Sequence, residues 1–296
     1  MSSQKIIVIL GPTSSGKSDL AVKIAKKFNG EIISADSRQV YKGMDIGTGK
    51  ITKQEMQGIP HYLLSIVSPK KIFTVANYQK LALKAIDDIS KKGEIPILCG
   101  GTGFYIQSVV DGIIIPEIAP DWKLRKKMGK KSNEELFKLL EKLDPKRAKN
   151  IDKNNSRRLI RALEIIYKTK KPIPEIKRES KFSALMIGIK KSPDQLKGRI
   201  KKRLLKRLKQ GMAAEVKNLK KSGLSWKRLK DFGLEYRWVS RFLQKKISYQ
   251  EMIERLQKDI EHYAKRQMTW FKKNKKIKWV ENEKEIEKLV KKFLNR

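Results

Sequence analysis

The chain of 296 residues has a single cysteine, Cys99, and two histidines, His61 and His262. One thiol cannot form an intramolecular disulfide or a cysteine-rich zinc site, and the histidines show no metal-ligand spacing; structural roles are expected for all three. Acidic residues are scarce as well: 31 Asp and Glu face 70 Lys and Arg, a net charge of +39. No apolar run reaches the length of a membrane span, and neither a signal-peptide pattern nor a lipidation motif is recognisable. A cytoplasmic protein with no membrane partner is expected. Internal repeats and low-complexity linkers are missing too. The shortage of acid is uneven: residues 1–120 carry 15 basic and 10 acidic side chains, whereas residues 121–296 carry 55 and 21. Such a skew predicts a polyanionic partner, held mainly by the second part.

What is present begins with "GPTSSGKS" at residues 11–18. It fits the spacing G-x-x-x-x-G-K-[ST] and lies between an apolar strand, Ile6 to Leu10, and an amphipathic helix starting near Lys17. The stretch Gly11, Pro12, Thr13, Ser14, Ser15, Gly16, Lys17 and Ser18 is therefore a candidate phosphate cradle. Its glycines let backbone N–H groups point inward, and the helix N-terminus adds partial positive charge. Lys17 would neutralise a terminal phosphate and the Ser18 hydroxyl would ligate Mg²⁺.

Strand-like runs at "KIIVIL", "EIISAD", "YLLSIV", "IPILCGG" and "SALMIGI" alternate with helical patterns at 17–28, 75–92 and 103–111. This alternation predicts an α/β fold with a parallel sheet and helices on both faces, and ligands at the carboxyl ends of the strands. Residues 118–182 read as a charged helical insertion with no strand signal, edged by Pro116 and Pro120 on one side and Pro172 and Pro174 on the other. The expected division is thus a core of 1–117 and 183–296 and an insertion of 118–182. A long basic helical tail follows the fifth strand, with an apolar stripe at Leu196, Ile200, Leu204 and Leu208. A helix over about 248–273, a short strand "KIKWVE" and a terminal helix complete the tail.

Two stretches bear on chemistry. "SADSRQV" carries a strand out into Asp36, Ser37, Arg38 and Gln39 at the ligand edge of the sheet. Asp36 there is either a turn carboxylate or a general base, and the neighbouring P-loop favours the base. "CGGTGFYIQ" offers Gly100, Gly101 and Gly103 for close backbone approach and the Thr102 hydroxyl, and reads equally well as a strand-to-helix turn. "IPILCGG" ends without the Asp or Glu that P-loop ATPases use to organise Mg²⁺ and water. A loop that holds a diphosphate as a leaving group fits better than one that hydrolyses it. Trp270 and Phe271, at a helix end, are more often core than base-stacking residues.

The motifs "GPTSSGKS", "SADSRQVYKGMDIGTGK", "GIPHYLLSIVSP", "GGTGFYIQ", "RRLIRALEI" and "KRQMTWFKK", in that order, resemble the tRNA dimethylallyltransferases (tRNA isopentenyltransferases) of bacterial type. The resemblance implies a nucleotide-kinase-like P-loop core with an inserted helical domain gripping the anticodon stem-loop, in an enzyme expected to act as a monomer. It implies transfer of a dimethylallyl group from dimethylallyl diphosphate to N6 of the adenosine 3′-adjacent to the anticodon of tRNA. Thr13, Gly16, Lys17 and Ser18 would contact the diphosphate with Mg²⁺ bridging, Asp36 would receive the N6 proton, and Ser37, Arg38 and Gln39 would hold the flipped base. Thr102, Arg125, Arg157, Arg158, Leu159, Ile160 and Arg161 match positions that contact tRNA. One departure stands out: Glu235 occupies the place of a glycine in the family pattern before Tyr236 and Arg237. The alternatives are an adenylate isopentenyltransferase acting on a free nucleotide, a small-molecule kinase, and an RNA-binding protein with a vestigial P-loop.

Overall fold

In a computed structural model, which describes residues 4–116, 118–173 and 179–295, the strands are β1 (Gln4–Leu10), β2 (Gly30–Ala35), β3 (His61–Tyr62), β4 (Ile95–Gly100), β5 (Phe182–Ile189) and β6 (Lys278–Val280). They pair in parallel in the order β3-β2-β4-β1-β5-β6. The helices are α1 (Lys17–Lys27), α2 (Lys53–Met56), α3 (Val75–Lys91), α4 (Gly103–Val110), α5 (Trp122–Met128), α6 (Asn133–Leu143) and α7 (Pro145–Lys149). They continue with α8 (Ser156–Thr169), α9 (Pro193–Lys209), α10 (Met212–Lys221), α11 (Trp226–Phe232), α12 (Leu234–Leu243), α13 (Tyr249–Phe271) and α14 (Glu283–Leu294).

β1 is apolar throughout Ile6–Leu10 because it is buried on both faces, as a central parallel strand must be. Its alternate residues serve two cores. Ile7 and Ile9 pack with Leu20 and Ile24 of α1 and Ile286 and Val290 of α14. Ile6, Val8 and Leu10 pack on the other face with Tyr78 and Ile86 of α3 and Ile106 of α4. The chain divides into one unit of Met1–Gly112 with Ser180–Arg296 and a second of Ile113–Glu179. Pro174, taken as an edge of the insertion, lies outside the described residues.

Two expectations change. "YLLSIV" is not a full strand: pairing stops at Tyr62, because Leu63 (φ 63°) and Ser65 (φ 52°) turn into left-handed backbone and take the chain off the sheet. The long basic helix is two, α9 and α10, separated at Gly211, whose φ of 96° no continuing helix allows. The tail helices α9 to α13 build a third core with Val40, Tyr41 and Met44, around Leu204, Met212, Phe232, Tyr236 and Leu256. This core brings the basic tail against the segment that follows β2.

Within Ile113–Glu179, α6 and α8 pack through Leu136, Leu140, Leu159 and Leu163. Ser132 starts α6 with a capping box to Glu135, and Asn155 starts α8 by accepting the Arg158 N–H.

Candidate active site

β1 delivers the chain into the P-loop. Gly16, at φ 93°, is the N-cap of α1, so Lys17 and Ser18 are the first residues of a helix whose free N–H groups face the loop. The Lys17 ammonium donates to the Pro12 carbonyl at 3.3 Å. Burial pushes its pKa down; Cys99 and Asp36 oppose that effect, and Arg203 and Arg207 add to it. An anion placed in the loop would offset the repulsion from both arginines. Cys99, at the end of β4, is the buried thiol expected: burial pushes its pKa up to about 12, and its Sγ lies 3.6 Å from the Lys17 carbonyl.

Asp36 follows the last residue of β2. Its Oδ1 accepts the N–H groups of Arg38 at 2.8 Å and Gln39 at 3.3 Å. Oδ1 thus takes a turn role, and among the described residues Oδ2 has no hydrogen bond. Ser37 donates its N–H to Thr102 Oγ1 at 3.0 Å, tying the end of β2 to the start of α4. The loop over Asp45–Gly49 closes another side. Glu215 of α10 accepts the N–H groups of Asp45, Ile46 and Gly47 at 2.8, 2.6 and 3.1 Å, and the Tyr236 hydroxyl at 2.8 Å. Gly47 is required there, because a Cβ would lie 2.8 Å from the Tyr236 oxygen.

These elements enclose a cavity of about 360 Å³ lined by Thr13, Lys17, Ser18, Asp36, Arg203 and Glu235, among others. Gln267 of α13 joins its two halves: its Oε1 accepts the Thr13 N–H at 2.8 Å and its Nε2 donates to the Gly101 carbonyl at 2.8 Å. α9 contributes a column of arginines, Arg199, Arg203 and Arg207, one turn apart. Arg199 reaches the Ser15 carbonyl at 3.4 Å, and Arg207 reaches the Gly47 carbonyl and the Glu235 carboxylate, each at 3.3 Å. Arg203, although exposed as a residue, has its guanidinium partly desolvated and set beside Arg207, and its pKa falls to about 10. A larger hollow of about 1330 Å³, beside the start of α9, contains no P-loop residue and no Asp36.

A family model described as IPP transferase matches residues 39–274 of the chain. The chain belongs to the IPP transferase family. It is 44% identical to a tRNA dimethylallyltransferase of Acetivibrio thermocellus over 93% of the chain and 91% of that relative. A tRNA isopentenylpyrophosphate transferase of Bacillus halodurans has a similar structure, with a TM-score of 0.75, 35% identity, and coverage of 99% of this chain and 97% of that one. A eukaryotic dimethylallyltransferase acting on tRNA aligns with a TM-score of 0.79 at 32% identity, over 90% of this chain and 70% of that one. The matched family segment starts after the P-loop, whereas the Bacillus halodurans structure aligns over 99% of the chain.

In this IPP transferase family member, Arg203, Arg207 and Gln267 are the site residues that sequence reading missed. A signal existed for the arginines: Arg199, Arg203 and Arg207 each stand one position before Ile200, Leu204 and Leu208 of the apolar stripe, so they flank the buried face of α9. Gln267 lay inside "KRQMTWFKK", a motif read for its aromatic and basic residues alone. The residues expected on the insertion divide into three kinds. Arg157 and Arg158 are exposed on α8. Arg125 and Arg161 both bond the buried Glu164, which also accepts the Asp121 N–H, and Arg161 donates to the Ile118 carbonyl. Leu159 has its side chain fully buried in the α6–α8 core, where it packs; Ile160 beside it is half-buried.

Proposed function

We propose that this enzyme transfers a dimethylallyl group from dimethylallyl diphosphate to N6 of the adenosine 3′-adjacent to the anticodon in tRNA, releasing diphosphate. One observation carries the reading: a phosphate cradle and a carboxylate face the same cavity from strands β1 and β2, and the strand between them, β4, ends in glycines. Two strand spacings, roughly 9–10 Å, separate the two ends. A span of that length suits a five-carbon chain and an amine. Gly100 tolerates no Cβ, which would lie 2.2 Å from the Ala35 carbonyl, and a Cβ at Gly101 would lie 2.3 Å from the Gln267 amide and displace it.

The chemistry follows from the placement. An exocyclic amine is a weak nucleophile because its lone pair is delocalised into the ring, and Asp36 raises its electron density by accepting its hydrogen bond. As the N6–C1 bond forms, the C1–O bond breaks, the proton passes to Asp36 and the electron pair leaves with the diphosphate. Lys17, Arg203 and the loop N–H groups, with Thr13 beside them, stabilise the departing charge. The P-loop also fits Mg²⁺ held largely by the diphosphate. Ser18 presents an exposed hydroxyl beside Lys17, and the described residues contain no cluster of three or more His, Cys, Asp or Glu that would hold a metal unaided. Such an ion would supply further charge to the leaving group.

Ser37, Arg38, Gln39 and Thr102 receive the adenine after it leaves its stack, at a cost of a few kcal/mol for an unpaired loop base. Arg157 and Arg158 take phosphates of the stem, while Arg125 and Arg161 hold the insertion in shape. We read the enzyme as a monomer. Among the described residues no helix is long and apolar enough to cross a membrane. The test is incubation with bulk tRNA, Mg²⁺ and dimethylallyl diphosphate, then digestion and mass analysis for N6-dimethylallyladenosine, with free AMP and ATP as parallel substrates. Product from AMP but from no tRNA, or phosphoryl transfer from ATP, overturns the proposal.

A further inference from the structure

We infer that Phe104 and Trp270 form a stacking platform for an unpaired nucleobase that flanks the reacting adenine in the RNA loop. The inference rests on the tRNA reading above and adds a second base site to it. Both rings are exposed to water, Phe104 at 40% and Trp270 at 38%, whereas Phe271, the next residue on α13, is 3% exposed in the core. The two rings meet edge to face, with centroids 6.4 Å apart and planes at 72°. This leaves aromatic surface uncovered. Trp270 lies on the backbone of Gly103, where a Cβ would fall 2.3 Å from its Cδ1, so the missing side chain lets the indole settle at the start of α4.

The platform is continuous with the cavity through both of its elements. Gly103 follows Thr102, whose hydroxyl accepts the Ser37 N–H at the end of the Asp36 strand. Trp270 is one helical turn beyond Gln267, which bonds the P-loop at Thr13. The surrounding charge selects the occupant. Lys265, Arg266 and Lys273 are exposed on the same stretch of chain, and Arg266 lines the cavity. Bare aromatic faces set among cations suit single-stranded nucleic acid, in which bases stack while phosphates meet the charges. A flipped adenine leaves its neighbours without a stacking partner on one side, and an aromatic face next to the site replaces that partner.

The experiment is a double-mutant cycle between protein and RNA. An anticodon stem-loop is prepared intact and with an abasic residue at each position flanking the target adenine. Wild type, Trp270→Ala, Trp270→Phe and Phe104→Ala are compared for RNA affinity, KM and kcat. On the intact stem-loop, Trp270→Ala is expected to weaken RNA binding on the order of tenfold, with Trp270→Phe restoring most of it. On one of the two abasic stem-loops the loss should vanish, because the stacked base is already gone. Affinity for dimethylallyl diphosphate should hold. Phe104→Ala, at an exposed position, should show the same coupling more weakly, which covers the case in which Trp270→Ala fails to fold. Equal losses on intact and both abasic stem-loops would overturn the platform and make Trp270 a packing residue. Wild type that prenylates the intact stem-loop while showing no coupling leaves the tRNA reading standing and removes only the platform; wild type that prenylates no RNA removes both.

Discussion

The Glu235 carboxylate lies 3.3 Å from the Arg207 guanidinium, inside the cavity that holds Lys17 and Asp36. The sequence marks Glu235 as out of place, and the structure supplies the reason it is tolerated: an arginine on α9 that also braces the Gly47 carbonyl. Both side chains are largely removed from water, and burial pushes the Glu235 carboxyl above the usual carboxylate range, against the pull of Arg207. Glu235→Ala leaves Arg207 unpaired beside Arg203 and Lys17. We expect a loss of about 3 kcal/mol in denaturant unfolding, the low end for breaking a buried pair. Added pyrophosphate should raise the melting temperature of this variant more than that of wild type, because an anion relieves the excess positive charge. An equal rise in both would place Arg207 outside the reach of the diphosphate. The double variant Arg207→Met, Glu235→Gly should recover most of the lost stability.

Asp36→Asn keeps the turn, since the amide oxygen still accepts the Arg38 and Gln39 N–H groups, but it removes the proton acceptor. Turnover should fall on the order of 10²- to 10⁴-fold with RNA affinity nearly unchanged. Steady-state kinetics with a stem-loop substrate measures the split, and a normal kcat would leave Asp36 with the turn role alone.

Part of this cavity is legible in the sequence. The P-loop could be read because one short segment carries its glycines, its lysine and the flanking strand and helix. Asp36 could be read because a strand ends at it. Arg203, Gln267 and the Glu215 clamp could not, since each reaches the site from a helix more than 160 residues further along the chain and only tertiary packing decides which face turns inward. Leu159 shows the converse. The motif "RRLIRALEI" is contiguous in sequence, but a helix sends Leu159 to the core and Arg158 to solvent, so a run of neighbours cannot act as one surface.

Lys17 gives a pH dependence with a definite sign. Burial lowers its pKa in the free enzyme, and a bound diphosphate raises it again. Pyrophosphate affinity should therefore be full below the free-enzyme pKa and fall as pH rises from there toward the ordinary lysine range near 10.5. Binding in that window should take up a proton, which calorimetry in buffers of different ionisation enthalpy detects. Lys17→Ala should lose this uptake, raise KM and lower kcat, because charge on the leaving oxygen exceeds that of the ground state. A change in KM alone would make Lys17 a ground-state binder.

Glu164 governs the insertion. Burial by itself pushes its carboxyl up, but hydrogen bonds from Arg125, Arg161 and the Asp121 N–H outweigh that and hold it at about 2. A carboxyl held below its unfolded value contributes stability that is complete above about pH 4.5 and is lost as pH falls toward 2. Hydrogen exchange followed by mass spectrometry should show residues 113–179 losing protection across that window. Arg125→Met should open the same segment at neutral pH. Unchanged protection in the variant would show that Arg161 and the Asp121 N–H suffice to satisfy Glu164.

The exposed arginines of α8 carry the last prediction. Contacts with phosphates release counterions, so affinity falls with salt at a slope of about 0.9 per phosphate neutralised, taking duplex behaviour as the guide for a stem. Arg157 and Arg158 are free of the Glu164 network, so replacing both with Gln removes charge without unsettling the insertion. The slope of log affinity against log salt should flatten by about two, KM for tRNA should rise, and affinity for dimethylallyl diphosphate should hold, because the P-loop belongs to the other unit. The matching change at Arg125 and Arg161 should act differently, lowering stability as well as binding. An unchanged slope in the Arg157, Arg158 variant would assign the charge of α8 to solvent, and the search for the phosphate contacts would move to the lysines and arginines of the tail.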